Sequence, residues 1–162
     1  MHIWTIENWG KFYNVESSTY RSGLRLKFDK DVNSEVKRAC IEFARWMRKE
    51  YYFPVRVTVY LRSKTRIRAI DGDIVYGTFF GPYNRYKEPY IRVAVGDYNE
   101  LVEKWGNIDL VLTSYLKCIA HELTHYFQWI NDIKLTQRGT ERQATMYSRY
   151  ILDEYSETRD HP

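Results

Sequence analysis

The stretch that most constrains this chain is "DLVLTSYLKCIAHELTHYFQWI", Asp109 to Ile130, an apolar run that carries two histidines, His121 and His125, four positions apart. At 3.6 residues per turn such residues lie one above the other on a helix, so both imidazoles can be aimed at one point. Two imidazoles on an otherwise apolar face need partners for their ring nitrogens, and each polar atom buried unpaired costs about 1–3 kcal/mol. A shared metal ion supplies a partner to both at once. Glu122, next to His121, can reach a water held by that ion without being a ligand, which is the division of labour that HExxH chemistry requires. The chain's other histidines, His2 and His161, lie at its two ends.

A catalytic zinc site normally takes three protein ligands, so a third is needed. Asp132 lies eleven residues beyond His121, about 16 Å along a straight helix, too far to share one ion. Glu141 is better placed. The helix runs about 9 Å past His125, and a polar loop from Asn131 to Gly139 can span up to about 30 Å, so the chain can return. A last helix is then expected from about Thr140, with Glu141 in its first turn and Ala144 leaving room for close approach of the two helices. An acid in a first turn is also favoured by the helix dipole alone, so spacing leaves both roles open for Glu141.

A length of 162 residues fits a single domain, 1–162, and 44% apolar with 17% aromatic residues is enough to build a core. No stretch approaches 18 uncharged apolar residues, and "MHIWTIENWG" lacks the basic region and apolar run of a signal peptide. A cytoplasmic protein with no membrane partner is expected. Cys40 and Cys118 stand singly in apolar helical patterns, without CxxC spacing, and are expected to be buried thiols. The net charge of +4 and the basic "LRSKTRIR", Leu61 to Arg68, permit nucleic-acid contact. A solvated strand edge explains such a segment more simply, so nucleic acid is not the expected partner.

Along the chain, residues 1–20 carry no clear period and stay unassigned. "LRLKF" (Leu24 to Phe28) alternates like a strand, and Val36, Cys40, Phe43 and Met47 line one face of a helix from Ser34 to about Tyr51, capped by Asn33. Strands follow at "VRVTVYL" (Val55 to Leu61), weakly at Arg66 to Ile70, at "IVYGTFF" (Ile74 to Phe80) and at "YIRVAV" (Tyr90 to Val95), with a turn at Asp71 and Gly72. Asp97 with Glu100 has the form of a capping box opening a short helix that Gly106 ends. The final helix carries Ala144, Tyr147, Ile151 and Tyr155 on one stripe and is expected to fray over residues 158–162. The fold class is α+β: a small mixed twisted sheet, a backing helix, an active-site HExxH helix and a C-terminal glutamate helix.

"HELTH" followed by "ERQA" resembles the zincin metallopeptidases, and among them the gluzincins, whose helix-borne HExxH is completed by a glutamate on a second helix. The order of elements over residues 24 to 157 is similar to the minimal minigluzincins. The resemblance implies a zinc-dependent peptidase, an endopeptidase acting on peptide or protein substrates, with Zn2+ held by His121, His125 and Glu141 and with Glu122 as general base. It also implies that "YGTFFGPY" is the antiparallel edge strand of the cleft, with Gly77, Thr78, Phe79 and Phe80 pairing with extended substrate beside the inner strand Tyr90 to Val95. Both histidines must be neutral to bind metal, so activity is expected to fall in acid. Some gluzincins place an aspartate four residues after the metal-binding glutamate; that position is Thr145 here, so the support for the histidines must come from elsewhere. The alternative is an inactive zincin-like binding or regulatory protein that contacts nucleic acid through residues 61–68.

Overall fold

The computed structural model describes residues 2–13 and 21–162. Its strands are β1 (Leu24–Phe28), β2 (Val57–Arg62), β3 (Ile67–Arg68), β4 (Ile74–Val75), β5 (Gly77–Phe80) and β6 (Tyr90–Ala94). The α-helices are α1 (Ser34–Glu50), α2 (Tyr98–Trp105), α3 (Ile108–Ile130) and α4 (Gln137–Ser156), and a short 3-10 helix covers Asn8–Lys11. The architecture is α+β. No helix among the described residues is long and apolar enough to cross a membrane.

Four strands form a sheet in the order β1-β2-β6-β5, with β1, β2 and β6 parallel and β5 antiparallel at the edge. Alternation sorts the side chains. Leu24, Val57, Val59, Leu61, Ile91 and Val93 fall on one face, buried beneath α1 and α3, while Arg25, Tyr60 and Arg92 take the other. Helix α1 offers that face Val36, Ala39, Cys40, Phe43 and Met47, all at most 1% exposed. Its N-terminus is capped as expected, with the Asn33 side chain accepting from the Glu35 N–H.

The expected strand over residues 74–80 is two strands. Ile74–Val75 pairs back on β3 in a two-residue hairpin, and after Tyr76 the chain switches sheets so that Gly77–Phe80 pairs with β6. The turn at Gly72 uses a φ of +93°, open to glycine at no steric cost.

Three further expectations are corrected. Asp97 precedes α2 but makes no capping bond; its carboxylate is buried, accepts from the Tyr115 hydroxyl at 2.6 Å and lies 3.6 Å from Arg66. Helix α4 starts at Gln137, not near Thr140, because Thr136 caps it by accepting from the Gly139 N–H. Gly139, which suggested a loop, is tolerated in the first turn at a cost of about 1 kcal/mol. The C-terminal residues do not fray: Pro162 O accepts from Arg38, and His161 Nδ1 lies 2.5 Å from Asp109.

Residues 2–13, unassigned from sequence, join the core. Ile3, Trp4 and Tyr13 are at most 3% exposed, and Trp4 stacks on Phe127 while its indole N–H donates to Thr124. The rest of that unassigned segment, residue 1 and residues 14–20, lies outside the described residues.

Candidate metal centre

Helix α3 is apolar nearly all round because α1, α4 and the sheet cover most of it. It ends in a Schellman motif, with Ile133 N–H bonded to Gln128 O and Asp132 N–H to Trp129 O. Asp132 takes the left-handed conformation there, φ +53°, and its carboxylate accepts from Arg85 and Lys134 at 2.8 Å each. Asp132 is thus occupied at the helix end, as its distance from His121 required.

The termination turns the chain back, and α4 packs along α3 with Ala144 fully buried between them. Glu141 arrives opposite the two histidines. Its Oε2 lies 3.1 Å from His121 Nε2 and its Oε1 lies 3.3 Å from His125 Nε2. One donor atom from each of the three residues falls within a 4.8 Å group, the one arrangement of at least three such side chains among the described residues. Because α4 begins at Gln137, Glu141 sits in the second turn rather than the first. The dipole effect fades beyond the first turn, so it does not account for an acid at this position.

The hydrogen bonds around His125 test whether a cation fits. Gln128 Nε2 donates to the Thr140 carbonyl at 3.0 Å and to Gln143 Oε1 at 2.9 Å, which fixes the amide orientation. Its Oε1 therefore faces His125 Nδ1 at 2.8 Å and requires that nitrogen to carry the proton. The Nε2 lone pair then points at a carboxylate oxygen 3.3 Å away, two acceptors facing each other. A cation between them would relieve that arrangement. A proton would serve one pair, whereas one ion among three donors serves all. Zinc bonds of about 2.0–2.2 Å in a tetrahedron put ligand atoms about 3.3–3.6 Å apart, close to the 3.1 and 3.3 Å between the Glu141 oxygens and the two imidazoles.

Electrostatics points the same way. His121 is held below its ordinary pKa, first by burial and then by His125, so its imidazole is neutral at neutral pH and ready to ligate. Glu122 is 7% exposed, and burial, with the Glu141 charge adding to it, pushes its carboxyl up to about 8. Glu141 beside two imidazoles is a nitrogen and oxygen donor set of the kind that divalent cations take.

The open side is a cleft of about 1150 Å³ lined by His121, Glu122, His125 and Glu141, by β5, and by the β3–β4 hairpin with Asp71 and Asp73. Strand β5 comes close to α3 only because residue 77 is glycine. A Cβ there would fall 2.6 Å from Cys118 Sγ and 3.4 Å from Glu122 Cγ. Gly77, Thr78 and Phe79 line the cleft, and β5 has no strand on its other side among the described residues. Phe80, the last residue of β5, instead has its ring against Tyr90.

Both cysteines are protonated thiols. Cys40 is buried as expected, but Cys118 is only half-buried, at the cleft wall; desolvation pushes Cys40 up to about 12 and raises Cys118 further, with Glu122 adding to the latter. In the basic segment, Leu61 is core, Arg62 bonds Asp29 at 3.0 Å, and Arg66 stacks on Tyr76 and faces Asp97. Only Lys64 and Arg68 remain without an acidic partner there among the described residues. Gln128 was missed from sequence; the available signal was its position three residues after His125, on the same helical face. No residue among those described plays the corresponding part for His121. Comparison with protein-family models, with curated proteins and with solved structures found no match to this chain.

Proposed function

We propose that the protein is a zinc-dependent metallopeptidase of the zincin type, gluzincin branch, similar in plan to the minigluzincins. The carrying observation is the His125 Nε2 lone pair, turned by Gln128 onto the Glu141 carboxylate 3.3 Å away, a contact that a cation between them would relieve. His121 Nε2, His125 Nε2 and a Glu141 oxygen would hold the ion. When bound, zinc supplies Lewis acidity, polarising a carbonyl and lowering the pKa of water.

The chain's own groups do the rest. Glu122, in its carboxylate form, accepts the proton of the attacking water on a side-chain oxygen and delivers it to the departing amine. Its raised pKa makes it a stronger base than a solvent-exposed carboxylate. The open edge of β5 presents backbone N–H and C=O groups to an extended peptide, which favours binding largely independent of side-chain sequence. Burial of Glu122 beneath β5 keeps bulk water from competing for its proton.

The test is turnover of a quenched fluorescent peptide library by wild type and Glu122→Gln. A loss of about 10²–10⁴-fold with metal content unchanged is expected for a general base. Normal cleavage by Glu122→Gln would contradict the assignment.

A further inference from the structure

We propose that the exposed face of α4 is a docking strip for an acidic stretch of the polypeptide substrate, gripped by Arg138, Arg142 and Arg149 where the chain leaves the metal centre. The inference rests on the peptidase reading and adds a substrate class to it.

The three arginines recur at spacings of four and seven on the solvent face of α4, and none has a carboxylate within 4.0 Å among the described residues. Arg38, Arg56, Arg62, Arg85 and Arg159 each hold an acid at 2.8–3.2 Å; among the described residues Arg45, Arg68 and Arg92 hold none either, but Arg138, Arg142 and Arg149 are gathered on one depression. Arg138 also stands in the first turn of α4, where the positive end of the helix dipole opposes a cation. Its charge does nothing for the helix that carries it. An anion from outside satisfies both conditions.

The surroundings fit a peptide. Met146 and Tyr150 are 57% and 47% exposed between the arginines, giving the strip an apolar floor. The shallow depression they line shares Glu141 and Thr145 with the catalytic cleft, so one extended chain can occupy both. Eleven residues from Arg138 to Arg149 span about 16 Å, the reach of about five extended residues. Guanidinium forks match carboxylates in bidentate geometry. The β3–β4 hairpin brings Asp71 and Asp73 to the cleft, where they repel acid, so an acidic stretch of substrate is better placed on the arginines of α4. Two acids share the depression: Glu141, whose oxygens face His121 and His125, and Asp153, one turn beyond Arg149.

The experiment is fluorescence anisotropy on full-length Glu122→Gln protein with Glu-rich, Gln-rich and Lys-rich peptides of equal length, and with a single-stranded oligonucleotide, at low and raised salt. The Glu-rich peptide should bind about tenfold tighter than the Gln-rich one, as expected for three surface pairs together. That margin should vanish in raised salt and shrink to about twofold in Arg142→Gln/Arg149→Gln, which keeps one of the three pairs. It should persist in Glu141→Ala, which disables the metal site, so docking and catalysis fail separately. Equal binding of the Glu-rich and Gln-rich peptides, an unchanged margin in the arginine variant, or displacement of the Glu-rich peptide by the oligonucleotide would overturn the proposal.

Discussion

Gln128 does two jobs with one amide: its oxygen sets the proton position on His125, and its nitrogen ties α3 to the Thr140 carbonyl, one residue before Glu141. Losing it should loosen both ligands. Gln128→Ala is expected to weaken zinc binding about 10- to 100-fold, as measured by competition against a chromogenic chelator, with the fold retained. Affinity equal to wild type would show that the amide does not orient the histidine. His121, Glu122 and His125 were legible in the sequence because a helical period and a chemical motif coincide on them. Glu141 was legible only as the acid that chain reach allows. Gln128 was not, since a helical glutamine has no signature until its neighbours are placed. Asp97 misled for a related reason: its spacing to Glu100 has the capping form, but burial beside Tyr115 offered its carboxylate a stronger partner.

Strand β5 and helix α3 meet at a contact that tolerates no side chain at residue 77. Gly77→Ala should destabilise the protein by about 1–3 kcal/mol through overpacking against Cys118. Adding Cys118→Ala removes the obstructing sulfur, so the double variant should recover much of the loss. Additive losses in thermal unfolding would contradict this account. Strands and helices with a clear period were found from sequence, whereas the sheet switch at Tyr76 was hidden inside one continuous apolar run. The docked tail was hidden too, because its anchor is an ion pair with Asp109 at the start of α3. That pair holds the His161 pKa above the ordinary imidazole value, through its hydrogen bond and then the Asp109 charge. A raised value means that the contribution to stability is complete below about pH 6.5 and is lost as pH rises through the folded-state pKa. An NMR titration should place His161 above the ordinary value in wild type and return it there in Asp109→Asn; identical midpoints would remove the pair.

At the scale of the molecule, residues 2–13 bear on stability rather than on access to the cleft. A removable plug over the cleft would make a shortened chain more active. The structure instead puts Ile3 and Trp4 in the core against α3 and α4, with Ile3 N–H donating to the Tyr147 hydroxyl. Trp4→Ala should therefore cost about 3–5 kcal/mol in denaturant unfolding, and deletion of residues 1–13 should lower stability rather than release activity. Unchanged stability on removing Trp4 would return the segment to the periphery. The α+β class and the pairing of an HExxH helix with a glutamate helix followed from the sequence. The N-terminal packing did not, since aromatic residues without a period reveal their burial only in three dimensions.

The central claim is that His121, His125 and Glu141 hold one metal ion, and metal content by elemental analysis of wild type, Glu122→Gln and Glu141→Ala after zinc incubation and desalting tests it most directly. About one zinc per chain is expected in the first two proteins and much less in the third. A wild type that takes up no zinc, or a Glu141→Ala protein that retains as much as wild type, would contradict the account.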